Sequence, residues 1–317
     1  MKKILTLLLG IILLTGCTKD DKAEVVPAPP ENLTGEVIST TAINLTWTDR
    51  SANEIGFKIE RKLENGTFEV IGTTATDITT FSDTGLIPGA TYVYRVYSFN
   101  EGGKSLVYSN ELKLTTNPIP SIAIYTQTWA TKNFDTATYS DGTPIPQVTD
   151  PTQWASLTTG AWCYYDNDPA NGVIYGKLYN WYAVAGIYNE ASKTDASQRK
   201  NLAPKGWHVP SNAEWTFLVT YLGNEDISGG KMKATGTSLW QIPNSLATNS
   251  SGFTGLPGGY RLDDGTFRTI GSYGSWWSSL ENGINYAKHL ALSYNSDNAS
   301  SGSYYKKGGF SVRCLKD

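Results

Sequence analysis

Charge, histidine and cysteine are all scarce in this chain. Only 17% of its 317 residues are charged, and 26 Lys+Arg against 29 Asp+Glu leave a formal charge of −3. Without a basic excess there is no electrostatic footprint for a phosphate backbone, so nucleic acid is not an expected partner. Two histidines and three cysteines leave almost no ligands for a His/Cys centre, so neither metal nor cofactor is expected. No Gly-x-Ser-x-Gly elbow and no Walker loop occur, which removes the commonest hydrolase and nucleotide signatures. What is plentiful is aromatic: 12% Phe, Trp and Tyr, set among 31 glycines. That is too aromatic and too weakly charged for wholesale disorder, and the length allows two domains with separate cores.

The N-terminal apolar run, Ile4 to Leu14, follows Lys2 and Lys3. As a helix it spans roughly 16 Å, short of a bilayer core of about 30 Å. A charged start, a short apolar middle and small residues at the end predict a signal peptide over residues 1–16. Leu14-Thr15-Gly16-Cys17 resembles a bacterial lipobox, which implies cleavage before Cys17 and diacylglycerol on its sulfur. The alternative is an ordinary secretory signal with a chance cysteine. Lys19, Asp20 and Asp21 resemble the export signal that sends lipoproteins of Bacteroidetes-type bacteria to the outer face of the outer membrane; the alternative is a solvated charged tether. From Thr18 to Glu31 there is no apolar periodicity, and Pro27, Pro29 and Pro30 favour an extended spacer, so residues 17–29 read as a lipidated tether. The expected location is therefore the outer membrane, lipid-anchored and facing the exterior.

Residues 30–117 read as short strands. Ile43 to Trp47 and Phe57 to Arg61 alternate with period two, and Asn65-Gly66 marks a hairpin answered by Phe68 to Ile71. Tyr92 to Tyr97 is a longer aromatic and β-branched run. Leu86-Ile87-Pro88-Gly89-Ala90-Thr91-Tyr92 resembles the approach to strand F of a fibronectin type III domain. The resemblance implies an all-β sandwich in which Tyr92 is the tyrosine-corner residue and Trp47 a core residue.

Asn117-Pro118-Ile119-Pro120 ends this domain, and nine of the 10 Trp and 15 of the 19 Tyr lie beyond it. Within residues 121–317, Ser211 and Glu214 make a capping box, and Trp215, Leu218, Val219 and Leu222 form one apolar stripe ending at Gly223. A second helix is expected from Lys177 to Ala185. Helices within a loop-rich antiparallel β background predict an α+β domain. Trp162-Cys163-Tyr164-Tyr165, Tyr175 to Tyr182, Gly206-Trp207-His208-Val209-Pro210, Gly252 to Arg261, Trp276-Trp277-Ser278-Ser279 and Gly309 to Cys314 occur in order. Together they resemble the Fibrobacter succinogenes major paralogous domain, itself distantly similar to the sulfatase-modifying-factor and C-type-lectin-like fold. The resemblance implies a cell-surface domain without established activity.

Formylglycine-generating enzymes, among those distant relatives, use a close cysteine pair, which this chain lacks; His208 and His289 stand apart and have no metal spacing. Asp166-Asn167-Asp168 and Asp263-Asp264-Gly265 read as turns first. No enzyme is expected. With Cys17 lipidated, Cys163 and Cys314 are the remaining thiols of an exported protein, and a disulfide between them is expected, two buried thiols being the alternative. Asp135-Thr136-Ala137 resembles an O-glycosylation sequon of Bacteroidetes-type bacteria, with Thr136 as acceptor. Tyr260, Arg261, Trp276 and Trp277 form the expected ligand-binding patch, because neighbours on a strand face opposite ways and one Trp should be left outside. The alternative is a strand covered on both faces. The expected function is binding of an extracellular ligand, a glycan or else another envelope protein in a structural role, by a lectin-like head on a fibronectin type III spacer.

Overall fold

The computed structural model describes residues 25–317. Cys17 and Lys19-Asp20-Asp21 lie outside the described residues.

Eight strands build the first domain: β1 (Glu31–Val37), β2 (Ala42–Thr48), β3 (Gly56–Leu63), β4 (Glu69–Ala75), β5 (Thr80–Thr84), β6 (Thr91–Asn100), β7 (Gly103–Lys104) and β8 (Leu112–Thr115). One antiparallel sheet runs β1-β2-β5. The other runs β4-β3-β6-β7, with β8 also on β6. Alternation decides which side chains meet between the sheets. On β2, Ile43, Leu45 and Trp47 point inward while Asn44 and Thr46 face water. Phe57 and Ile59 answer from β3, and Tyr92, Tyr94 and Val96 from β6. Trp47 meets Phe57 edge-on at 5.5 Å. The Tyr92 hydroxyl accepts the Ile87 N–H at 2.9 Å, the bond of a tyrosine corner. Asp83 on β5 holds the sheets together, accepting from Arg61 at 2.7 Å and from the Tyr94 hydroxyl at 2.8 Å.

The second domain combines short sheets with short helices. Its strands are β9 (Ser121–Ile124), β10 (Gln127–Ala130), β11 (Trp162–Cys163), β12 (Leu178–Tyr179), β13 (Trp207–His208), β14 (Tyr260–Arg261), β15 (Phe267–Arg268), β16 (Tyr273–Glu281), β17 (Tyr286–Ser293), β18 (Ala299–Tyr305) and β19 (Leu315–Lys316). Its α-helices are α1 (Pro151–Ala155), α2 (Pro169–Tyr175), α3 (Trp181–Val184), α4 (Glu190–Thr194), α5 (Asn212–Tyr221) and α6 (Glu225–Met232). β16-β17-β18 form the antiparallel sheet with the longest strands of this domain, and the four-stranded sheet β13-β19-β10-β9 brings residues 315–316 back beside the first hairpin.

Helix α5 begins as the sequence requires. The Ser211 hydroxyl accepts the Glu214 N–H, and the Glu214 carboxylate accepts the Ser211 N–H at 2.7 Å. Trp215, Leu218, Val219 and Leu222 are buried beneath it. The helix expected from Lys177 to Ala185 is shorter, because Asn180 interrupts it. The Asn180 side chain accepts the N–H groups of Ala161 and Ala183, both at 3.0 Å, so Leu178–Tyr179 stays a strand and helix starts at Trp181.

The two domains touch. A Cβ on Gly85, whose φ is +70°, would sit 2.7 Å from the Ser140 carbonyl oxygen. A cleft of about 220 Å³ lies between them, lined by Ser39, Thr41 and Leu86 from one side and Phe134, Thr136 and Pro204 from the other.

Candidate ligand-binding surface

The expected patch of Tyr260, Arg261, Trp276 and Trp277 is not a surface. Trp276 and Trp277 do point to opposite faces of β16, but both faces are covered. Trp276 packs with Trp129, Trp215 and Phe253, and its indole N–H donates to Asn133 Oδ1 at 2.8 Å. Trp277 stacks on Phe310 at 4.3 Å and donates to the Tyr179 carbonyl at 2.8 Å. Arg261 is fully buried between the Trp154 and Phe267 rings. Its guanidinium donates to the carbonyls of Gly265, Val148 and Thr149 at 2.6–2.8 Å. Tyr260 is half-buried against Phe310. These side chains are scaffold.

Two more buried cations do the same work. Arg313 donates to the carbonyls of Ala130 and Phe253 and to Asn133 Oδ1, the atom that also receives Trp276. Burial pulls its pKa down to about 9. Lys233 donates to the carbonyls of Ser245, Ser293 and Ser296. Loops lack the ladders that satisfy backbone carbonyls in regular elements, so a long cation reaching several of them is a way to bury a loop.

The disulfide expected between Cys163 and Cys314 is absent: both are free, buried thiols. Cys163 belongs to the cluster of Trp154, Tyr165 and Leu178, and Cys314 to that of Trp162, Phe310 and Val312. Parity of the thiol count carried no information on this separation. Burial pushes each thiol up to about 12, which leaves them inert. Thr136 is half-buried at the interdomain cleft, with its N–H and C=O both bonded to the Tyr179 hydroxyl. Asp168 caps α2, and Asp264 closes the β14–β15 turn by accepting from Thr266.

A different aromatic surface is present. The β9–β10 hairpin turns through Tyr125, which adopts φ 55°. That left-handed backbone is unusual for a bulky residue. It sets the Tyr125 ring over the outer face of α5, stacked on Tyr221 (5.0 Å, 21° between planes) and Phe217 (6.0 Å, 28°). The three rings are 65%, 52% and 40% exposed, respectively for Tyr125, Tyr221 and Phe217. Phe217 and Tyr221 are one turn apart, on the face away from the buried stripe. This i, i+4 aromatic pair was the available sequence signal, but the third ring comes from a hairpin ninety-odd positions earlier and only folding brings it in. A second exposed pair, Tyr286 and Tyr305, lies at 4.6 Å across β17 and β18.

His208 stands at the start of the capped helix. Its Nδ1 lies 2.7 Å from Asp317 Oδ1 and its Nε2 2.9 Å from Glu214 Oε1. Partial burial lowers its pKa, but the bonds to Asp317 and Glu214 outweigh this and raise it above the ordinary 6.5. Glu214 is itself held below its ordinary 4.5; burial opposes this, and the Ser211 N–H and His208 overcome it.

The family model described as the Fibrobacter succinogenes major domain matches residues 122–316, and the fibronectin type III model matches residues 28–115. The chicken (Gallus gallus) receptor-type tyrosine-protein phosphatase eta is 26% identical over 182 residues, covering 54% of this chain and 12% of that protein. Among solved structures, domains A168–A170 of titin are 23% identical over 29% of this chain and 32% of theirs, with a TM-score of 0.27. An Fn3-like protein from Clostridium thermocellum is 28% identical over 28% of this chain and 93% of its own, with a TM-score of 0.25.

Proposed function

Because this chain belongs to the Fibrobacter succinogenes major domain family and carries a fibronectin type III domain ahead of the family domain, we propose that it is a lipid-anchored protein of the outer membrane that binds a glycan outside the cell. Cys17 carries the lipid, and Lys19, Asp20 and Asp21 direct the protein outward. The fibronectin type III domain is the spacer, and the second domain binds in a lectin-like manner without catalysing a reaction. Thr136, at the cleft, is the acceptor for a host-added sugar.

The stack of Tyr125, Phe217 and Tyr221 carries the glycan reading. The C–H face of a sugar ring packs against an aromatic face, and the hydroxyl rim stays wet. Three exposed rings already stacked lose little conformational freedom on binding, which favours recognition. Three exposed aromatic side chains gathered at one place are the kind of cluster an interaction site presents.

A glycan array probed with the intact chain tests the reading. Binding to a defined set of saccharides is the expected result. Binding to none, together with a stoichiometric envelope protein co-purified from the native host, would instead favour a structural role in the envelope.

A further inference from the structure

The fibronectin type III domain gathers three carboxylates from two connections. Asp49 follows β2, Glu54 precedes β3 and Asp77 lies in the β4–β5 turn. One carboxylate oxygen of each falls within 4.8 Å of the others. Such a group at a surface is ordinary on its own. Glu54 makes it different. It is only 5% exposed, and its Oε2 is enclosed without any hydrogen-bond donor. Among the described residues no Lys or Arg pairs with any of the three acids, and Arg50, next to Asp49 in the chain, is turned to Glu31 at 2.9 Å. A buried carboxylate facing two others, with neither donor nor counter-charge, is strongly disfavoured unless a cation compensates it.

We propose that Asp49, Glu54 and Asp77 form a calcium site. All the donors are hard oxygens, which excludes the metals that select sulfur or imidazole. The donors come from two loops, without enforced octahedral geometry, which suits calcium better than magnesium. Water and nearby carbonyls complete the six to eight ligands calcium takes. The bound ion ties the β2–β3 connection to the β4–β5 turn. Asn53, adjacent to Glu54, donates to the Val25 carbonyl at 2.8 Å, and Asn100 does so at 2.9 Å. The ion therefore stiffens the end of the domain where the N-terminal tether docks. This inference is independent of the glycan reading.

Calorimetric titration of the full chain with calcium chloride tests it, with melting temperature measured in parallel. One site per chain is expected, with affinity in the range of about 10⁻⁴–10⁻³ M found for extracellular modules, and calcium is expected to raise the first domain's melting temperature. Magnesium should bind more weakly. Asp77→Asn and Asp49→Asn keep the loop shapes, since Asn accepts the same backbone conformations, and each should weaken calcium binding at least about tenfold. Glu54→Gln should also abolish the calcium-induced shift. The proposal is overturned if about 10 mM calcium gives neither heat nor a melting shift, or if both Asn variants bind like the wild type.

Discussion

Trp276→Ala and Trp277→Ala should each destabilise the second domain by about 3–5 kcal/mol, because each removes a fully buried indole and leaves a cavity. Urea denaturation of the two variants checks this; a variant within about 1 kcal/mol of wild type would mean that its Trp is not a core residue. The strand alternation that separates the two rings was legible in the sequence. The layers that cover both faces were not, because they come from Trp129, Trp215, Phe253, Tyr179 and Phe310, all distant in the chain. Arg261 was misplaced for a related reason. Its partners are backbone carbonyls of Gly265, Val148 and Thr149, and a carbonyl leaves no mark in a residue pattern. Cys163 and Cys314 show the limit of counting: two thiols in one chain say nothing of which cluster each one enters.

At the scale of elements, helix α5 links local chemistry to pH. The fold favours the protonated His208 imidazole, so its contribution is fully present below pH 6.5 and is lost as the pH rises through the raised folded-state value. Glu214 has the opposite sign. Its lowered pKa gives stability present above pH 4.5 and lost as the pH falls through the folded-state value. The second domain should therefore be most stable between about pH 4.5 and 6.5 as far as this cluster is concerned. All three side chains are partly solvent-screened, so the swing should stay within about 1 kcal/mol. Melting temperature against pH for wild type and His208→Gln checks it: the variant should lose the alkaline decline, and an unchanged slope would remove His208 from the account. The capping box of Ser211 and Glu214 and the corner bond of Tyr92 were readable in advance, since each needs only residues within a few positions of one another. The helix expected at Lys177 to Ala185 was overestimated because the apolar spacing was weighed without Asn180, a stronger cap than a helix interior residue.

At the scale of the whole molecule, the chain is a fibronectin type III domain joined to a family domain across a cleft, with an N-terminal segment proposed to hold it at a membrane. Among the described residues no helix is long and apolar enough to cross a bilayer. Anchoring in this account depends on acyl chains at Cys17, so Cys17→Ala should move the protein from the membrane fraction to the soluble periplasmic or secreted fraction; unchanged membrane association would contradict the lipid anchor. The central claim concerns the outward-facing rings, and titration of the best glycan found on the array into wild type and Tyr125→Ala/Tyr221→Ala tests it most directly. Both side chains are largely exposed, so the double variant should melt within a few degrees of wild type and bind at least about tenfold more weakly, a loss of about 1.4 kcal/mol. Wild-type affinity in a folded double variant would contradict the claim and place the glycan site elsewhere on the domain.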